Sequence, residues 1–141
     1  MKIKAKGFST IDLLVYISIV SVLMIFLVPR FGKLFEKVKE LRTTATMSSI
    51  VTALQQYSLD VGKFPSSREG LDALIDRPGG KEGSRWKGPY LEGYSEIPQD
   101  GWGGEFEYNS PPREHTKEYK RFELISRGAG EDEGDDIHKG F

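Results

Sequence analysis

The chain has 141 residues, a formal net charge of −1 and no cysteine. Balanced charge gives no electrostatic footprint for nucleic acid. The missing cysteines exclude disulfides, dithiol redox chemistry, thiolate metal sites and a thiol nucleophile, while leaving a non-reducing compartment open.

The first element is an apolar run of 21 residues, Phe8 to Val28, behind the basic leader Met1-Lys2-Ile3-Lys4-Ala5-Lys6-Gly7. About 20 apolar residues at 1.5 Å each match a hydrocarbon core of about 30 Å, so the run is long enough to span a membrane. A cleaved secretory signal would be shorter and would end in small residues, whereas this run ends Leu27-Val28-Pro29-Arg30-Phe31. Inside it lies one formal charge, Asp12. A charge in hydrocarbon costs roughly 2.5–3.5 kcal/mol, which selects for a partner or a task. Near the headgroups, Asp12 could also reach water by itself. Lys2, Lys4 and Lys6 face Arg30, Lys33, Lys37, Lys39 and Arg42 across the run, so counting Lys and Arg alone would put the far side in the cytoplasm.

Helical periodicity continues beyond Pro29. Leu34, Val38, Leu41 and Ala45, then Ile50, Val51, Leu54 and Tyr57, form one apolar stripe, with Lys33, Glu36, Lys37, Lys39, Glu40 and Arg42 on the other faces. The apolar pattern resumes at once after Pro29, so the proline predicts a kink and not an end. The helix should reach about Leu59, stopped by Asp60-Val61-Gly62. About 110 residues follow the apolar run, enough for one small core.

In the segment Gly62 to Ile75, Ser66 or Ser67 could cap a short helix that turns Leu71, Leu74 and Ile75 inward. Asp76 to Gly88 is rich in Gly, Pro and charge and reads as a loop. Phe106 and Tyr108 alternate with Glu105 and Glu107, as in a strand with one buried face, and Arg121 to Ser126 is a partner strand. The linker Asn109 to Lys120 between them is polar and reads as mobile. Trp102 reads as a core anchor, with a binding platform as the alternative. Five acids, Glu131, Asp132, Glu133, Asp135 and Asp136, crowd a glycine-rich stretch near the C-terminus. Carboxylates and carbonyls on such a loop suit a hard cation, but not at EF-hand spacing; a solvated acidic loop is the alternative. His115 and His138 have no metal-ligand spacing or nucleophile partner, and no phosphate-binding glycine loop occurs. No enzyme constellation emerges.

Four of these stretches carry a family resemblance. Gly7-Phe8-Ser9-Thr10-Ile11-Asp12 resembles the class III signal of type IV pilins and type II secretion pseudopilins, except that Asp12 stands where the family has Glu. Gly62 to Ile75, with its Phe-Pro, paired serines, Gly-Leu and Ala-Leu, resembles the stretch after the long helix of the major pseudopilins. Trp86 and Gly88-Pro89-Tyr90-Leu91 resemble that group's variable loop and the approach to its first strand. Pro98-Gln99-Asp100-Gly101-Trp102-Gly103 resembles its Asp-Pro-Trp-Gly turn, with Gly101 replacing the second proline.

The resemblance implies an α+β, type IV pilin-like lollipop: a long N-terminal helix, transmembrane then amphipathic, packed on a small antiparallel sheet with a C-terminal loop. The chain would divide into a cytoplasmic leader (1–7), a transmembrane half-helix (8–28), a periplasmic half-helix (29–60) and a globular head (61–141). A prepilin peptidase would cut after Gly7, and Phe8 would become the methylated first residue. Asp12 would neutralise an N-terminal amine during assembly, a neighbour's or its own, and Pro29 falls where the family bends its helix. The C-terminal loop would hold calcium: Ser126 matches the family's serine, Arg127 its carbonyl donor, and Asp135-Asp136-Ile137 its closing motif. Ala129-Gly130 replaces the expected Asp-Gly, which makes Asp132 the first substitute ligand and Glu131 the next. Implied partners are other copies in a helical filament, minor pseudopilins, the inner-membrane assembly platform and membrane lipid. The location is the bacterial inner membrane, N-terminus in the cytoplasm and head in the periplasm. The function implied is a structural subunit of a short filament that drives folded proteins across the outer membrane. The alternatives are a type IV pilin or minor pseudopilin, and a signal-anchored periplasmic enzyme or binding domain. The missing cysteines lean toward the pseudopilin side.

Overall fold

A computed structural model describes residues 9–130 and 136–141, with backbone alone at 29 and 30. One helix, α1, runs from Thr10 to Val61 without interruption at Pro29. Its start is locally capped: the Asp12 carboxylate accepts the Ser9 N–H at 3.1 Å, and the Leu13 N–H reaches the Ser9 carbonyl at 3.1 Å. At the far end Gly62 takes φ 93° and donates its N–H to the Ser58 carbonyl at 2.9 Å. A Cβ would resist that left-handed turn, which is why a glycine closes the helix.

The chain divides into two units between Lys37 and Val38. In the first, α1 is long and apolar enough to cross a membrane, and none of the residues in its most apolar window is buried. Side chains from Ile11 to Val28 are open apart from half-buried Val20, with Ile25 and Phe26 at 70% exposure each. The hydroxyls here are satisfied internally: Ser18 donates to the Leu14 carbonyl at 2.7 Å and Ser21 to that of Ile17 at 2.8 Å. Such back-bonding lets a polar residue sit in hydrocarbon without a partner helix.

In the second unit the C-terminal part of α1 supplies one wall of the core through Met47, Ile50, Ala53, Leu54, Tyr57 and Val61. Against it pack Leu71, Ala73, Leu74, Leu91, Phe106, Phe122 and Leu124. The expected stripe splits here. Leu34, Val38, Leu41 and Ala45 are exposed, and burial begins at Thr43 and Met47. Among the described residues none buries the Leu34, Val38 or Leu41 side chains.

Leu71–Leu74 form a short 3-10 turn, buried as expected, but neither serine caps it. Ser66 makes its own turn with Glu69, its N–H and hydroxyl donating to that carboxylate at 2.7 and 2.6 Å. Ser67 accepts the Ser110 N–H at 2.8 Å. The stretch read as a loop contains a six-residue helix, α2 (Gly80–Arg85). The Trp86 indole N–H then bonds the Ala73 carbonyl at 2.8 Å, holding the 76–88 excursion to the core.

The sheet has three strands among the described residues: β1 (Glu107–Asn109), β2 (Glu123–Ser126) and β3 (Ile137–Gly140). Their order is β1-β2-β3, both pairs antiparallel, with Tyr108 opposite Leu124 and Ile125 opposite His138. β3 was not anticipated, because Ile137-His138-Lys139-Gly140 has no apolar alternation to read. Every residue of β2 is buried, so both its faces are covered. Leu124 belongs to the core, whereas Glu123 receives hydrogen bonds from residues 109–115. That linker, read as mobile, is tied down on this buried side chain. Trp102 is half-buried and outside the core cluster, which corrects its reading as a core anchor.

Candidate functional site

Of the residues singled out in the sequence, Gly7, Phe8, Asp132 and Asp135 lie outside the described residues. Asp12 sits in the first turn of α1, its carboxylate on the Ser9 N–H. An acid there also complements the positive end of the helix dipole. Pro29 lies inside α1, which continues through it. Arg127 and Asp136 meet directly, Nη1 to Oδ2 at 2.7 Å.

That pair belongs to a larger cluster. Arg127 grips Glu107 side-on, Nε to Oε1 at 2.9 Å and Nη2 to Oε2 at 2.7 Å. It grips Glu114 end-on, Nη1 to Oε2 at 3.2 Å and Nη2 to Oε1 at 2.7 Å. With Asp136 this makes five hydrogen bonds, matching the five N–H donors of a guanidinium. The forks push the Arg127 pKa up, Glu107 contributing most, and Arg127 in turn holds Glu107 below the usual carboxylate range. The cluster joins β1, the linker and the residue before β3.

Glu123 is the second unanticipated feature. Its side chain is fully buried, yet it accepts backbone N–H bonds from Arg113 at 2.6 Å, Glu114 at 3.0 Å and His115 at 2.8 Å, and one from Asn109 Nδ2 at 3.1 Å. Burial pushes its pKa up, but these donors outweigh burial and hold it at about 2. The signal was available in Phe122-Glu123-Leu124-Ile125, a lone acid inside an apolar strand. Beside it, His115 stacks on His138 with ring centroids 3.9 Å apart.

A third constellation seats the Pro98–Gly103 turn. Asp100 is buried and accepts the N–H groups of Trp102 at 2.9 Å and Gly104 at 2.7 Å, and the Ser126 hydroxyl at 2.6 Å. The Gly101 N–H donates to Thr43 Oγ1 on α1 at 2.8 Å. Glycine in place of proline therefore has a local reason: proline has no N–H to give Thr43.

These arrangements hold segments of the head together. A groove of about 790 Å³ between residues 70–72, 93–99 and 105–108 is lined by groups such as Asp72, Tyr94, Glu96 and Gln99. Its lining includes no histidine, lysine or cysteine to pair with a nucleophile. Among the described residues no three His, Cys, Asp or Glu side chains gather to hold a metal. The Ser126 hydroxyl is directed at Asp100, and Asp136 is taken by Arg127.

An N-terminal helix of 52 residues, apolar in its first half and forming the wall of a small antiparallel head in its second, places the molecule in the type IV pilin-like class. A solved structure of this class, the major pseudopilin from the type 2 secretion system of enterohaemorrhagic Escherichia coli, has the same fold. It matches with a TM-score of 0.56 at 23% identity, covering 80% of this chain and 92% of that one. Residues 31–139 match the family described as type II secretion system protein G, and the chain belongs to that family. It is similar to the type II secretion system core protein G of Pseudomonas aeruginosa, 31% identical over 130 residues, covering 91% of this chain and 86% of the relative. The core protein G of Vibrio cholerae is 28% identical over 135 residues, covering 95% and 90%.

Proposed function

We propose that this chain is a structural subunit of a type II secretion pseudopilus, anchored in the inner membrane by the first half of α1 with its head in the periplasm. The family assignment supports the system. The observation that carries the role is the open apolar surface of α1. Ile11 to Val28 provide a membrane anchor, and Leu34, Phe35, Val38 and Leu41 remain 54–63% exposed beyond it. Exposed apolar surface on this scale marks an interaction site. In a filament, neighbouring α1 helices cover it by head-to-tail contacts that extend without closing.

Within this reading the prepilin peptidase removes residues 1–7, and Phe8 becomes the methylated N-terminus. Asp12 sets register by meeting an N-terminal amine, where opposite charges in low dielectric attract strongly and an unpaired one is costly. Minor pseudopilins and the inner-membrane assembly platform are the partners, and extension of the filament drives folded cargo outward. No step calls for a catalytic group on this chain.

The test is the intact mass of membrane-extracted protein from cells with and without the peptidase. Loss of residues 1–7 with one added methyl, only when the peptidase is present, is expected. An uncut chain in both would defeat the reading in favour of a signal-anchored domain.

A further inference from the structure

The 790 Å³ groove of the head combines an apolar floor with acidic walls. Leu71, Phe106 and half-buried Ile97 lie at its base, and the exposed carboxylates of Asp72, Glu96 and Glu105 line it, with no Lys, Arg or His among the lining residues. Other acids find cations within the chain: Asp60 meets Lys87 at 2.9 Å, Glu82 meets Lys63 at 2.7 Å, and Glu107, Glu114 and Asp136 share Arg127. Asp72, Glu96 and Glu105 have no such partner among the described residues. Carboxylates gathered in a concave, apolar-based groove focus a negative field that favours a cationic, partly apolar occupant.

The chain carries a surface of that description. Leu34, Val38 and Leu41 are exposed on α1 at i, i+4 and i+7, the spacing by which a helix anchors in a groove. Lys33 and Lys37 run along one edge of this stripe, and Arg42, one turn beyond Val38, stands at the other; all three are exposed. We propose that the groove seats α1 of a second copy, taking Leu34, Val38 and Leu41 onto Leu71 and Phe106 while the flanking cations meet Asp72, Glu96 and Glu105. Groove and stripe are different patches of one molecule, so the contact is heterologous and each copy offers both halves to new neighbours. Opposite charges on the two patches fix the register in which the apolar side chains meet. This inference rests on the filament reading and names the surface that covers the exposed stripe.

The test uses the full chain in cells that assemble it, carrying Leu34→Cys and Gln99→Cys in the cysteine-free background and treated with a short bis-maleimide. Gln99 lines the groove. A ladder of covalent multimers that depends on both cysteines is expected. Filaments without that ladder strike this contact and leave the filament reading standing, whereas an unaltered chain that forms no filaments removes both. Dimers through Gln99→Cys alone, or its cross-link to a protein of another size, would assign the groove to a different occupant and overturn the proposal. If the cysteine pair blocks assembly, charge reversal decides. Lys33→Glu with Lys37→Glu, or Glu96→Lys with Glu105→Lys, should each cut filament yield about tenfold or more by setting like charges together, and the four changes combined should restore it. A combination that assembles no better than either half overturns the proposal.

Discussion

Gly101 lies against the backbone of Lys39 so closely that a Cβ on it would sit 2.7 Å from the Lys39 Cα. The turn from Pro98 to Gly103 is therefore pressed directly onto α1, and the Gly101 N–H seals the contact through Thr43. Backbone on both sides leaves no flexible side chain to give way. Gly101→Ala should destabilise the head by about 1–3 kcal/mol. Gly101→Pro should cost more, since it also removes the N–H that Thr43 Oγ1 accepts, leaving that hydroxyl only its own bond to the Lys39 carbonyl. Gly79→Ala, which meets nothing within 4 Å, should stay within about 0.5 kcal/mol of wild type. Denaturation midpoints of the three variants check this ordering.

Acid stability should track Glu123. Its folded pKa of about 2 lies below the 4.5 of an unperturbed glutamate, so the unfolded state takes up protons first as pH falls. The stabilisation is complete above about pH 4.5 and is lost as pH falls toward 2. One pKa unit is about 1.4 kcal/mol, so the contribution is on the order of 3 kcal/mol. Glu123→Gln should be less stable at neutral pH by a similar amount. The gap between it and wild type should narrow steadily through that window. A gap that stays constant from pH 5 to pH 2 would mean that the carboxylate's charge is not what the linker amides recognise.

Ser126→Ala separates two uses of one hydroxyl. If its work is to satisfy buried Asp100, removal leaves a carboxylate oxygen without its donor and costs about 1–3 kcal/mol. The loss should be equal in calcium and in EDTA. Thermal unfolding in both solutions measures it, and a loss confined to calcium would assign the hydroxyl to a metal.

The assembly reading makes α1 beyond the membrane a protected surface in the filament. A cysteine-free chain gives a clean background for single-cysteine labelling. Leu34→Cys and Leu41→Cys should react with a maleimide in detergent-dispersed subunits and become protected, about tenfold or more, in assembled filaments. Leu59→Cys, 84% exposed in the head unit, provides a comparison site. Equal reactivity of positions 34 and 41 before and after assembly would rule out α1 packing there.

Asp12 should matter for assembly and not for leader removal. Asp12→Ala is expected to be cut normally and to yield few or no filaments by electron microscopy. Asp12→Glu, which restores the family's residue, should assemble. If Asp12→Ala assembled as well as wild type, its carboxylate would be only a cap on the Ser9 N–H.

By itself the sequence determined what neighbours along the chain can encode. Apolar composition from Phe8 to Val28 and helical spacing up to Tyr57 specify one long helix, and Gly62 ends it. The alternation around Phe106 and Tyr108 and the apolar Phe122–Ile125 locate two strands. Where remote segments choose one another, those signals fall silent. Arg127 draws Glu107, Glu114 and Asp136 from positions 20, 13 and 9 residues away. Glu123 is a buried charge only because the linker folds back to offer three amides. Leu34 and Leu54 lie on the same sequence stripe, yet only Leu54 is buried, among core side chains that begin on α1 at Thr43 and Met47. Periodicity states which side chains prefer to leave water; only the tertiary structure decides which ones find something to pack against.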